Sequence, residues 1–205
     1  MRFALDDDVI EARDTLRKIL AAEDPDSADA LARLDEFGAF DEALLVVTFE
    51  EIGYAGISHP VVEREFGDDA DRAALAAAAQ LVGLGQRMLD MTVDYVQQRE
   101  QFGVPIGSFQ AVKHHLANAL KELAFARPPV WRAAVTLEPR DVSMAKAMAS
   151  DAASLVARQA LQCHGAIGYT VEYELSRYLK QTWVLARSFG DAAWHRDRIA
   201  KELEI

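Results

Sequence analysis

Apolar positions recur at helical spacing along most of the chain. Between Asp69 and Arg99 there is no proline, and two apolar stripes run side by side. Leu75, Ala79, Val82, Leu89, Val93 and Val96 form one; Leu81, Leu84, Met88, Met91 and Tyr95 form the other. Each advances by three or four residues, which predicts a long helix buried on two sides, in the middle of a bundle or across a subunit seam. Gly83 and Gly85 interrupt it, each costing roughly 1 kcal/mol against alanine unless another helix comes close there. Turn residues in Phe102–Gly107 end the run. Ser108 is the expected N-cap of a second helix reaching Arg127, with Phe109, Val112, Leu116, Leu120 and Leu123 inward. Pro128 and Pro129 are expected to break or bend it, with helical character continuing from Trp131 to Leu137. Asp141 reads as the N-cap of a third helix carrying Met144, Met148, Leu155, Val156 and Gln159 to Cys163, with Gly165 just past its end. A fourth helix is expected over Val171–Arg187 and a short fifth after its N-cap Asp191. Upstream, helices are expected near 6–22, 28–37 and 40–56; Leu44–Phe49 alone alternates with period two, and its Glu and Ala flanks favour helix. The pattern predicts an all-α fold, an antiparallel four-helix bundle over 69–205 after a shortened acidic helical region over 1–66.

Composition narrows the class. With 205 residues, 51% hydrophobic and 27% charged, the chain can build one substantial core or two small ones and is too apolar for disorder. The lone Cys163 excludes an intrachain disulfide and a Cys-rich zinc site, and no metal is expected. Met1–Ile10 carries three consecutive aspartates and does not read as a secretory signal, nor does any apolar run reach about 18 residues. A cytoplasmic location is expected. Of the net charge of −11, the first 70 residues carry 19 acidic against 6 basic side chains. That acidic third should repel nucleic acid and anionic membranes, so neither is expected as a partner. The remainder, at +2, can accept a phosphate-bearing small molecule without a large electrostatic penalty.

Candidate chemistry is sparse. Arg99 at a helix end, before a Gly-containing loop and the free N–H groups of the next helix, suits an anion; a solvated helix-end cation is the plainer role. His114 and His115 are adjacent, point about 100° apart on a helix, and do not make an i, i+4 metal pair. Cys163 is reactive only if exposed, and a small buried hydrophobe is the commoner state. Trp183, Phe189 and Trp194 suit core or interface packing better than a substrate box.

Three ordered motifs carry a resemblance. Arg99-Glu100-Gln101-Phe102-Gly103 followed by Ile106-Gly107-Ser108-Phe109-Gln110-Ala111 is similar to an R-x-x-F-G…I-x-x-F/H-Q-A segment. Gln162-Cys163-His164-Gly165-Ala166-Ile167-Gly168-Tyr169-Thr170-Val171-Glu172-Tyr173 is similar to Q-x-x-G-G-x-G-[FY]-x-x-E-[YH]. Phe189-Gly190-Asp191-Ala192-Ala193-Trp194-His195-Arg196 sits where a glutamate–glycine loop and last helix would. Together they resemble the C-terminal helical domain of acyl-CoA dehydrogenases over about Asp71–Glu204, with weaker echoes of the N-terminal helical domain in Leu31–Pro60. The resemblance implies that Arg99 and Phe102 contact FAD across a subunit interface, the arginine at the pyrophosphate. Gln110 then lies near the same cofactor, while Gln162 and Gly165 meet its adenosine and pyrophosphate end; glycines at 165 and 168 would allow close backbone approach.

In such enzymes a carboxylate removes the pro-R α-proton of an acyl thioester while flavin N5 accepts the β-hydride. Here the commonest base position falls on Phe189, and the alternative, 26 residues before Arg99, on Ala73. Neither takes a proton. Asp71, Asp191 and His195 are nearby, Asp191 being the substitute considered, but each has a plainer role as first-turn charge, N-cap and surface or interface histidine. The family's middle β-domain also has no counterpart: His59–Glu63 leads through Arg64–Asp69 directly to the bundle.

Three readings follow. In the first, the chain is a shortened subunit of a flavin-dependent acyl-CoA dehydrogenase. It acts on an acyl-CoA within a homo-dimer, a homo-tetramer or a hetero-oligomer, with a full-length homologue supplying the base and the flavin-ring pocket. The tail resembles those of actinobacterial-type members acting on bulky acyl-CoAs, including steroid side chains, some of them heteromers. In the second, the bundle is flavin-free and repurposed as a binding or scaffold protein or a non-redox enzyme. In the third, it is self-sufficient, with Asp191 as base.

Overall fold

The computed structural model describes residues 7–22, 28–40, 44–57 and 60–204; residue 6 of the first expected helix, residues 41–43 of the third, and His59 lie outside them. The described residues are helical almost throughout, as the apolar periodicity predicts. Four helices come first: α1 (Asp7–Ala22), α2 (Ala28–Glu36), α3 (Leu45–Ala55) and the single-turn-scale α4 (Val61–Phe66). The bundle follows with α5 (Ala70–Gln98), α6 (Gln110–Thr136), α7 (Pro139–His164), α8 (Leu175–Leu185) and α9 (Ala192–Glu202). A two-residue-per-strand antiparallel hairpin, β1 (Glu100–Gln101) and β2 (Val104–Pro105), joins α5 to α6.

The long helix α5 is the axis of the molecule, packed against α3, α6, α7 and α8. Asp69 caps it, accepting from the Arg72 amide at 3.0 Å. Both sequence stripes are inward, with Val93, Met91 and Tyr95 half-buried and the rest buried. The two mid-helix glycines have a packing cause. A Cβ on Gly83 would run into the Glu50 carbonyl of α3, as one on Gly53 would run into the Gln80 carbonyl of α5, so the two backbones touch where they cross. A Cβ on Gly85 would press on Leu123 of α6.

Several expected details differ. Ser108 does not cap α6; it sits in a 3-10 turn, Ile106–Ser108, where its hydroxyl donates to the Pro105 carbonyl at 2.7 Å, and Phe109 takes the cap position. The inward face of α6 is Ala119, Leu123, Ala126, Val130 and Ala133, whereas Leu120 is 54% exposed and Phe109 38%. Small residues win the inward positions because α6 lies close to α7. The same seam carries α6 through Pro128 and Pro129 without a break, since Ala126, Val130 and Ala133 stay buried on both sides of the prolines. Asp141 is not an N-cap. It lies buried in the first turn of α7, accepting from Arg132 Nε at 2.8 Å and Thr136 Oγ1 at 2.9 Å, and thereby latches the α6–α7 corner. α8 is shorter than expected because Val171 to Glu174 form turns.

Gly165 ends α7 at φ +63°, and Asp191 caps α9 by accepting from the Trp194 amide at 2.8 Å, both as expected. The left-handed Gly56 ends α3, and its carbonyl accepts from Arg177 Nε at 2.6 Å and Gln181 Nε2 at 2.8 Å, tying the N-terminal helices to α8.

Candidate functional site

The candidate residues collect at the two ends of α5. At its C-terminal end, Arg99 leaves the helix in extended conformation and its carbonyl accepts from the Ile106 amide at 2.8 Å, which closes the hairpin. The Arg99 side chain is exposed, and among the described residues its guanidinium has no hydrogen-bond or ion-pair partner. Phe102 and Gly103 form the hairpin tip, with φ +55° and +79°. Two successive left-handed residues make a tight turn whose twist suits the strands, but phenylalanine is a poor occupant of that region. It is nonetheless 93% exposed and, among the described residues, its ring meets only the edge of Phe109 at 6.2 Å. Gln110, exposed, opens α6 directly behind.

The second motif reaches the same end. Tyr95, one turn before Arg99, stacks on the His164 ring at 4.3 Å and its hydroxyl donates to the His164 carbonyl at 3.5 Å; Tyr173 leans on the same histidine at 5.2 Å. His164 is buried, donates from Nδ1 to the Ala160 carbonyl at 2.8 Å, and is held below the usual histidine range by burial. This aromatic stack brings the Gln162–Gly165 corner beside the hairpin. Gln162 and Gly165 are both exposed, and open space surrounds the position of a Cβ on Gly165. Gly168 is different: a Cβ there would press on Leu161 and His164, so it serves internal packing rather than a ligand.

Ala73 and Phe189 belong to the other end. Ala73 is buried in the first turn of α5, 26 residues before Arg99, a separation of about 39 Å at 1.5 Å per residue. Phe189 is half-buried against the core at φ +57°. The acidic groups nearby are engaged. Asp71 holds Arg198 of α9 in a two-point ion pair, and Asp191 is the α9 cap. His195 is neither a surface nor an interface histidine: it is fully buried within the chain, and its Nε2 donates to the Phe189 carbonyl at 3.0 Å. Burial, reinforced by Lys146 and Arg198, pushes it down to about 4, so it is neutral at physiological pH.

Beside this end lies an apolar cleft of about 300 Å³ between α4, α5 and α8, walled by Val61, Val62, Gln80, Val184, Leu185 and Ser188. Cys163 is half-buried and its thiol is raised by burial. Periodicity missed Lys146, which is fully buried on α7. Its one sequence signal is its position within the buried run Asp141–Ser143, Ala145–Ala147, where a cation is out of place.

The all-α bundle and its two motif corners define a member of the acyl-CoA dehydrogenase family. The signature described as "Acyl-CoA dehydrogenase, C-terminal domain" matches residues 69–204, and the chain belongs to that family. It is similar to acyl-CoA dehydrogenase IpdE2 of Mycolicibacterium smegmatis, 38% identical over 70% of this chain and 47% of that protein. Among solved structures it is similar to a "Tcur3481-Tcur3483 steroid ACAD G363A variant", with TM-score 0.63 and 31% identity over 65% of this chain and 38% of that one. It is also similar to the ChsE4-ChsE5 complex from Mycobacterium tuberculosis, with TM-score 0.62 and 32% identity over 66% and 38%. The chain thus spans less than half the length of these relatives.

Proposed function

We propose that this chain is a subunit of a two-chain, flavin-dependent acyl-CoA dehydrogenase, built as a bundle over 69–205 behind an acidic helical region over 1–66. Its Arg99, Phe102, Gln110, Gln162 and Gly165 would form one wall of a flavin site completed by a full-length homologue, which carries the base. The observation that carries this reading is the separation along α5. The base positions and the flavin-wall residues stand about 39 Å apart, too far to serve one cofactor from one chain. The two sets therefore face different sites, and only the flavin wall retains suitable residues.

The wall fits such a group. Among the described residues an unpaired guanidinium answers a pyrophosphate, a strained and exposed phenylalanine meets only the edge of Phe109, and the exposed Gly165 leaves room at the backbone. Bound flavin supplies the hydride acceptor; this chain's residues hold and orient it. Phe189 and Ala73 transfer no proton, and Asp71, Asp191 and His195 are committed to structure. The similarity to a steroid enzyme named for two chains and to the ChsE4-ChsE5 complex supports a two-chain assembly acting on a bulky acyl-CoA.

The test is to purify the chain alone and with full-length homologues and record visible spectra at known mass. The expected result is no colour alone and one flavin per two chains in the complex. Arg99→Ala should cut flavin occupancy about tenfold while leaving folding within about 0.5 kcal/mol, as for other exposed substitutions. A chain yellow by itself would make it self-sufficient. A colourless chain that joins no flavin-bearing partner would leave a repurposed, flavin-free bundle.

A further inference from the structure

The turn between α8 and α9, Ala186–Gly190, is held by more buried polar chemistry than a helix connection needs. Lys146 reaches it from α7 with no exposure to solvent, and its Nζ donates to the Ala186 carbonyl at 3.3 Å, the Gly190 carbonyl at 3.0 Å and Ser150 Oγ at 3.1 Å. Three donors meet three acceptors. His195 reaches it from α9, equally buried, and donates to the Phe189 carbonyl between those two. Three of the turn's five carbonyls are therefore fixed from two different helices. The backbone held this way is unfavourable at Phe189, with φ +57°, and at position 190, with φ +89°, takes a conformation that glycine adopts without strain. At Gly190 a Cβ would collide with the Trp194 and His195 rings, so no other residue fits.

A buried lysine is a poor means of gaining stability, because an apolar side chain of the same volume fills a seam without losing the hydration of a charge. What the cation adds is direction. The flank of the turn, through Leu185 and Ser188, forms one wall of the apolar cleft between α4, α5 and α8. We propose that Lys146 and His195 are positioning residues that lock the Ala186–Gly190 turn into one conformation and so set the shape of that cleft wall. The lock stands on the contacts at the turn alone, at the end of α5 away from the proposed flavin wall.

Hydrogen exchange on the full chain tests the lock. In Lys146→Met and His195→Leu, amides 187–192 should exchange at least about tenfold faster than in the parent, while Leu81–Leu89 of α5 keeps its protection. His195→Gln, which retains an N–H donor, should restore the turn; if His195→Leu does not fold, Lys146→Met and His195→Gln decide the matter. Unchanged exchange in the turn overturns the proposal. So does an equal acceleration throughout the chain, which is the signature of two ordinary core residues.

Discussion

A methyl group at position 83 has nowhere to go, because the α3 backbone occupies its place. Gly83→Ala, which on an open helix would gain about 1 kcal/mol, should here lose about 3 kcal/mol, read from urea unfolding, since backbone cannot move aside as a side-chain tip can. His195 makes a second prediction at this scale. Its folded value of about 4 lies below the ordinary 6.5, so the unfolded chain takes up the proton first as pH falls. The associated stability is present in full above pH 6.5 and drains away as pH drops towards 4, by about 2–3 kcal/mol. His195→Gln should flatten that acid limb in thermal unfolding followed from pH 7 to pH 4; an unchanged slope would mean that other groups carry it.

At the scale of elements, the α5–α6 hairpin is the piece whose design conflicts with its own chain. Replacing Phe102 by asparagine, which accepts left-handed backbone, should stabilise the isolated protein by about 0.5–1 kcal/mol and weaken assembly with a flavin-bearing partner. A gain in both would remove the hairpin from the proposed interface. The α5 stripes, the Gly165 cap and the Asp191 cap were legible because they rest on local periodicity and side-chain chemistry. The inward face of α6 was not. Leu120 and Phe109 are the larger hydrophobes, but the inward positions went to Ala119, Ala126 and Ala133, a choice made by the distance to α7. Asp141 misled in the same way, since its partners Arg132 and Thr136 lie across a helix corner. The five flavin-wall candidates were found through motif resemblance. What only coordinates supply is that they gather at one end of α5, far from Ala73 and Phe189, and that Lys146 and His195 meet at a single turn.

For the whole molecule, the exposed Leu120, Phe125 and Val135 of α6 are the counterpart of its alanine-lined inner face. α5, α6 and α7 meet largely through alanine, from Ala73–Ala79 through Ala119, Ala126 and Ala133 to Ala145, Ala149, Ala153, Ala157 and Ala160. The thermodynamic consequence concerns curvature. Alanine gives up no rotamer freedom on burial, and each one hides little hydrocarbon from water. Unfolding this core should thus expose less apolar surface per residue than unfolding a leucine-filled one, and differential scanning calorimetry should give a heat-capacity increment below the usual range of about 12–15 cal/mol/K per residue. A smaller increment makes free energy against temperature a broader, flatter dome, so this protein should resist cold better than a leucine-filled bundle of the same melting temperature and enthalpy.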